Sequence, residues 1–171
     1  VSTTSPCGLA IGQTYQGGII FYLDPSGCHG LISSSADQSS GIQWDNGSFF
    51  ATNATFNGVK AGQSNTRLIV DAQGSGSYAA QLCNDLITYT NDGLFEDWYL
   101  PSRSELYLMR QNIGQGNALG LGNVGSFSGN SYWNSTEGGT TNAGTLDFSN
   151  GTQNFFIQKN LIRYVRAVRA F

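Results

Sequence analysis

The chain has 171 residues, a formal net charge of −3 and only 11% charged side chains, against roughly a quarter in an average soluble domain. Gly is abundant at 23 residues and aromatics make up 12%, which excludes the low-hydrophobicity, high-charge composition of a disordered chain. No apolar run reaches the ~18 residues of a membrane span, and a whole-chain pI of 4.8 without any recognised module pattern sets nucleic acid aside as a partner.

Residues 1–12 are expected as the end of a linker and residues 13–171 as one domain. The opening VSTTSPCG lacks a basic region followed by an apolar one, so no signal peptide is expected there. It reads instead as the tail of a linker in a longer exported protein. Tyr15–Leu23, YQGGIIFYL, is β-branched and aromatic and is expected as a buried strand. Asp24-Pro25-Ser26-Gly27 has turn chemistry, and Gly30–Ser34 would complete a hairpin. His29, the lone histidine, stands at its mouth. A catalytic histidine needs an orienting acid and a nucleophile; neither is placed here, so a structural role is expected.

Residues 35–62 show no clean period and are expected to be irregular, pinned by Trp44, Phe49, Phe50 and Phe56. Asn65–Ala72 is predicted as a short helix, with Asn65 as its cap and Gly74 as its stop. Ser77–Tyr89 is predicted as a second helix, with Ala79, Leu82, Cys83 and Leu86 on one face. Asn91-Asp92-Gly93 is a turn. Trp98–Ile113 carries the most complete signal: an apolar entry, Pro101, then Ser102 and Glu105 as a capping box. Leu106, Met109 and Ile113 share a helical face, and Gly114 closes it. Residues 114–131 are Gly-rich and include Gly120-Leu121-Gly122-Asn123-Val124-Gly125, a formal GxGxxG. No strand precedes it and no helix follows, so nucleotide binding is not expected.

The last forty or so residues turn to β. Strands are predicted at 131–135, 144–148, 154–158 and 163–169, with Asn150-Gly151 as a hairpin turn. Strands, then helices, then strands predict an α+β fold: a compact, loop-rich single domain with two to three short helices packed on antiparallel strands. Cys7, Cys28 and Cys83 are an odd number without CxxC spacing. They allow one disulfide or none, and argue against zinc or a thioredoxin-type pair.

Charge is unevenly distributed. From Ser149 onward there is no acid, and Lys159, Arg163, Arg166 and Arg169 are all basic; the first 147 residues hold every acid and the remaining bases, Lys60, Arg67, Arg103 and Arg110. A local cationic region on an acidic protein recruits polyanions. Strand alternation points Tyr164, Arg166 and Val168 one way and Val165, Ala167 and Arg169 the other. Arg166 or Arg169 is expected to meet a carboxylate such as Glu105 or Glu137, while Lys159 and Arg163 are expected at an exposed turn. Arg103 and Arg110, seven apart, lie on nearly one helical face. The candidate anion-binding residues are therefore Lys159, Arg163, Arg166, Arg103, Arg110, Lys60 and Arg67. Arginine forks and lysine point charges grip sulfate as they grip phosphate, so a sulfated or carboxylated polysaccharide is the expected ligand.

Catalytic chemistry is poorly represented. There is no GxSxG elbow. Asp97, Glu105 and Glu137 are carboxylates that a glycosidase could use, but Glu105 is assigned to its capping box. Calcium is possible through Asn91, Asp92, Glu96 and Asp97, although their spacing is not that of an EF-hand. Otherwise no cofactor is expected.

Six blocks occur in order: YQGGIIFYLDPSGCHGLI, DQSSGIQW, AAQLCNDL, DWYLPSRSEL, YWNSTE and YVRAVR. Together they resemble the C-terminal domain family of the Legionella collagen-like adhesin. The resemblance implies a secreted, bacterial cell-surface adhesin domain that binds sulfated glycosaminoglycans without catalysis. It implies a homotrimer, and a role in host attachment and biofilm. LPSRSEL, YWNSTE and VRAVR are also similar to segments of C-type-lectin-like and formylglycine-generating-enzyme-like domains, implying a C-type-lectin-like outline. The alternatives these likenesses raise are a calcium-dependent lectin for neutral glycans and a formylglycine-type or glycosidase enzyme.

Overall fold

Adjacent apolar residues in the opening strands face opposite ways, and this sets the architecture. The computed structural model describes residues 5–171. β1 (Thr14–Tyr15), β2 (Gly18–Leu23) and β3 (Gly30–Ser34) form an antiparallel meander, and β11 (Val168–Ala170) adds to β3 at the far edge. Ile20 and Ile32 enter one buried cluster with Trp44, Trp98, Trp133 and Tyr78. Phe21 and Leu31 enter the other, with Leu106, Met109, Tyr132 and Phe148. This sheet is therefore covered on both faces, and the two clusters are the two halves of one core.

The second sheet has the order β4 (Ser39–Ile42), β10 (Arg163–Val165), β7 (Ser131–Glu137), β8 (Asn142–Asp147) and β9 (Gln153–Gln158). Only the β10–β7 pairing is parallel within it. α1 (Ala61–Gln73) packs on β7 and on α2 (Ala79–Asn84); α3 (Arg103–Ile113) packs on β2, β7 and β8. β5 (Thr88–Thr90) and β6 (Gly93–Phe95) make a separate hairpin. The chain is thus an α+β domain with antiparallel and mixed sheets, as expected from the order of its elements. No helix among the described residues is long and apolar enough to cross a membrane.

α3 forms where its signals lie. The Ser102 hydroxyl accepts the Glu105 N–H, the Glu105 carboxylate accepts the Ser102 N–H at 2.7 Å, and the helix runs to Ile113. Leu106, Met109 and Ile113 are fully buried. Other elements differ from expectation. The first predicted strand is split by a turn at Gln16 and Gly17, both with positive φ. α1 starts four residues earlier than predicted, so Asn65 is no cap. It is buried inside the helix, where its side chain takes the Phe56 N–H and donates to Phe56 O at 2.7 Å. The second predicted helix ends at Asn84; Thr88-Tyr89-Thr90 is strand, consistent with β-branched and aromatic residues. The predicted terminal strand breaks at Arg166–Ala167 and serves both sheets.

The expected linker end is partly built into the domain. Cys7 is bridged to Cys28, Leu9 is buried and Gly12 N–H bonds to Ile20 O. Residues 1–4 lie outside the described residues. Cys83, on α2, is the free cysteine and is fully buried in the cluster that holds Trp44 and Trp133.

Candidate functional site

The C-terminal cations were expected to face solvent or a single carboxylate, and most are sealed into the structure. Lys159 follows β9 directly and is 1% exposed, which corrects its expected place on an exposed turn. Its ammonium lies 2.5 Å from Glu137 Oε1, donates to Phe50 O and Thr140 O, and sits 4.6 Å from the Trp44 ring. Burial pushes its pKa down, opposed by the Glu137 hydrogen bond and the charges of Glu137 and Asp45. The other oxygen of Glu137 accepts the Thr52 and Asn53 N–H groups.

Arg166, also 1% exposed, meets Asp37 rather than Glu105 or Glu137. Its Nε is 2.7 Å from Asp37 Oδ1, and Nη1 donates to Ser34 O and Gly125 O. The guanidinium covers the Phe127 ring at 4.3 Å. Arg169 holds Asp97 with two nitrogens and donates to Gln16 Oε1. Glu105 serves its own cap, the Lys60 N–H at 2.6 Å and the Tyr99 hydroxyl. Lys159 and Arg166 therefore leave the candidate ligand set, because their donors are already taken in the dry interior. The alternation along 164–168 holds nonetheless: Tyr164 and Val168 pack on one cluster, Val165 and Ala167 on the other.

Five cations remain, none in an ion pair among the described residues. Lys60 and Arg67 are exposed on and beside α1; Arg67 lines a cleft of about 410 Å³ opposite Glu96 and Asp97. Those acids work against an anionic ligand there. Arg163 is half-buried at the start of β10 and donates to Ile162 O. Arg103 and Arg110 lie on the α3 side that meets the β8–β9 hairpin. Arg103 Nε donates to Gln153 Oε1 at 2.7 Å, and its guanidinium is 3.9 Å from the Phe155 ring centre. Arg110 Nε donates to Phe148 O at 3.0 Å, and its guanidinium lies against Gly116 and Gly151, where a Cβ would come within 2.7 Å of it.

Each guanidinium is braced through Nε and by packing, and among the described residues the terminal nitrogens of Arg103 and Arg110 donate to no partner. At 1.5 Å rise per residue they stand about 10 Å apart along the helix. A groove of about 370 Å³ is lined by Arg103 with Ser104, Tyr107, Leu108, Gln111 and Gln153. Asp147 lies near Arg110, but its carboxylate is engaged by the Ser149 hydroxyl and N–H, and its pKa is held low mainly by that hydroxyl.

The sequence leaves calcium only a possibility for Asn91, Asp92, Glu96 and Asp97, against an ordinary solvated acidic turn. Asp97 is held by Arg169, and no three His, Cys, Asp or Glu side chains gather at metal-binding distance among the described residues. His29 is exposed on the β2–β3 turn beside Cys28 and near Asp24. Cys83 is sealed, and burial pushes its thiol up, away from the thiolate a nucleophile needs.

Sequence reasoning missed the partners Asp37, Asp97 and Gln153, which come from distant segments. It also missed Asp45, a buried carboxylate with one oxygen lacking any partner. No local pattern marks these residues. No protein-family model and no curated protein matches the chain.

Proposed function

We propose that this domain binds sulfated polysaccharide without catalysis, at the α3 face carrying Arg103 and Arg110. The observation that carries the reading is the pair of braced guanidiniums on one side of α3, neither in an ion pair among the described residues, with Arg103 opening on a groove. Sulfate oxygens match the arginine fork, and bracing removes part of the side-chain entropy lost on binding. Arg163, Lys60 and Arg67 are peripheral contributors, because they lie on other elements.

The domain acts as an adhesin on a bacterial surface and assembles as a homotrimer. Trimerisation multiplies a weak site, since three copies raise avidity without any new contact. The Cys7–Cys28 bridge supports an oxidising, extracytoplasmic setting. Cys83, sealed in the core, is withheld from nucleophilic chemistry, in keeping with a binding role.

Heparin titration against salt, run beside a mass measurement in solution, tests the reading. Binding should weaken steeply with salt. Arg103→Glu with Arg110→Glu should reduce it by tenfold or more, and Lys60→Glu with Arg67→Glu by much less. Heparin binding indifferent to salt and to the α3 pair would overturn the proposal.

A further inference from the structure

The chain holds three Asn-Gly steps: Asn46-Gly47, Asn57-Gly58 and Asn150-Gly151. Asn-Gly is the pair most open to spontaneous deamidation, because glycine has no Cβ to keep its nitrogen away from the side-chain amide before it. Two groups must be free for the reaction. The Asn side chain must turn back onto its own main chain, and the following N–H must give up its proton. All three asparagines are exposed, so access to water does not separate them. Hydrogen bonding does.

The Asn46 side-chain amide donates to Gln73 O and Ser75 O, each at 3.1 Å, and the Gly47 N–H donates to Asp45 Oδ1 at 2.9 Å. At the β8–β9 turn, Asn150 Oδ1 accepts the Thr152 N–H and the Gly151 N–H donates to Asp147 O, both at 2.8 Å. Asn57-Gly58 differs. Among the described residues, neither the Asn57 side chain nor the Gly58 N–H has a hydrogen-bond partner. The carbonyls of this step are engaged instead: Asn57 O accepts the Ser104 N–H at 3.1 Å, and Gly58 O accepts the Ser102 hydroxyl at 2.7 Å. They hold the step against the start of α3 while the reacting side chain and nitrogen stay free. Neighbouring groups held together in this way react as one molecule.

We propose that Asn57 deamidates spontaneously in the folded protein, while hydrogen bonds hold back Asn46 and Asn150. The Gly58 nitrogen loses its proton to solvent and attacks Asn57 Cγ. The new N–Cγ bond closes a cyclic imide, and the Cγ–Nδ2 bond breaks to release ammonia. Water then opens the imide at either carbonyl, leaving aspartate or isoaspartate. The sum is asparagine plus water giving a carboxylic acid and ammonia, with nothing oxidised or reduced. Either product adds one negative charge to a chain of net charge −3, on the segment bonded to Ser104 and so beside Arg103. The consequence for binding rests on the proposed polyanion function: the new charge repels the ligand and lowers its affinity.

The test is peptide mapping by mass spectrometry of the chain aged in warm, mildly alkaline buffer made with heavy-oxygen water, folded and in urea. In the folded chain Asn57 should gain one carboxylate, carrying one solvent oxygen, at least tenfold faster than Asn46 or Asn150. In urea the three should react at similar rates. Gly58→Ala should suppress the change at Asn57 and leave the fold intact, since a Cβ there meets no atom within 4 Å and the φ of Gly58 is not positive. The proposal is overturned if Asn57 has no lead in the folded chain, if the same lead persists in urea, or if Gly58→Ala reacts as fast as the parent. Asn57→Asp, and the aged parent, should bind heparin several-fold more weakly than fresh parent; equal binding overturns the consequence for affinity. A fresh parent that does not bind heparin defeats the polyanion function alone, and the peptide map still decides the modification.

Discussion

Lys159 Nζ and Glu137 Oε1 lie 2.5 Å apart, with 1% and 3% of their side chains exposed. This pair joins the end of β9 to the end of β7 and anchors the 52–53 backbone through Glu137. Removing one member of a buried pair strands the other charge, at a cost of about 3–5 kcal/mol. Lys159→Met is therefore expected to lower the urea midpoint sharply, and Lys159→Met with Glu137→Leu to recover much of the loss. A Lys159→Met protein that remains folded should bind heparin as the parent does. Selective loss of heparin binding would return Lys159 to the ligand set.

Glu105 is the second internal hub. Its Oε2 takes the Ser102 N–H, and its Oε1 takes the Lys60 N–H and the Tyr99 hydroxyl. In Glu105→Gln, either orientation of the amide turns an NH₂ toward an N–H donor. A loss of about 1–3 kcal/mol follows, read by chemical denaturation. A stability gain from removing the buried charge would refute this account of the cap.

Alkaline stability follows from the tyrosines. Burial first, then neighbouring carboxylates, pushes the Tyr78 phenol up to about 12 and those of Tyr99 and Tyr132 higher than usual. A phenol with a raised folded pKa contributes stability that is present below its ordinary value of 10.0 and lost as pH climbs toward the folded value. Lys159, with a lowered pKa, has the opposite sign: its burial penalty is relieved as pH rises toward 10.5. Three phenols outweigh one amine, so net stability should fall from about pH 10 upward. Phenolate absorbance and circular dichroism should then change together, and Tyr99→Phe should move the transition to higher pH.

The Cys7–Cys28 bridge spans a sequence separation of 21. In the chain-entropy model a loop of that size is worth about 3 kcal/mol. Reduction, or Cys7→Ser with Cys28→Ser, should lower the thermal midpoint without abolishing the fold, whose two-part core lies elsewhere. Cys83 should resist thiol reagents in the native state and react on unfolding. Fast native labelling would contradict its burial.

The amino-acid sequence by itself determined features whose causes lie within a few residues. The Ser102–Glu105 capping box and the Leu106, Met109, Ile113 face specified α3, and Gly30–Ser34 was legible as a strand. The alternation from Tyr164 to Val168 held across a break between sheets, because side-chain direction is a property of local backbone. The same local logic misassigned Asn65, which can cap a helix but instead binds Phe56 from inside one.

What only the tertiary structure decided was the fate of the charges. Glu137 lies 22 residues from Lys159, Asp97 lies 72 from Arg169, and Asp37 lies 129 from Arg166. Ion pairing at such separations depends on which segments the sheets bring together, and neither propensity nor periodicity encodes that. The cationic C-terminal segment looked like a binding surface in the sequence because charge was counted along the chain. Folding placed Lys159 and Arg166 in the dry interior, where an unpaired charge is too costly to keep. It left Arg103 and Arg110 braced but unpaired on α3, the helix whose local signals were the clearest of all.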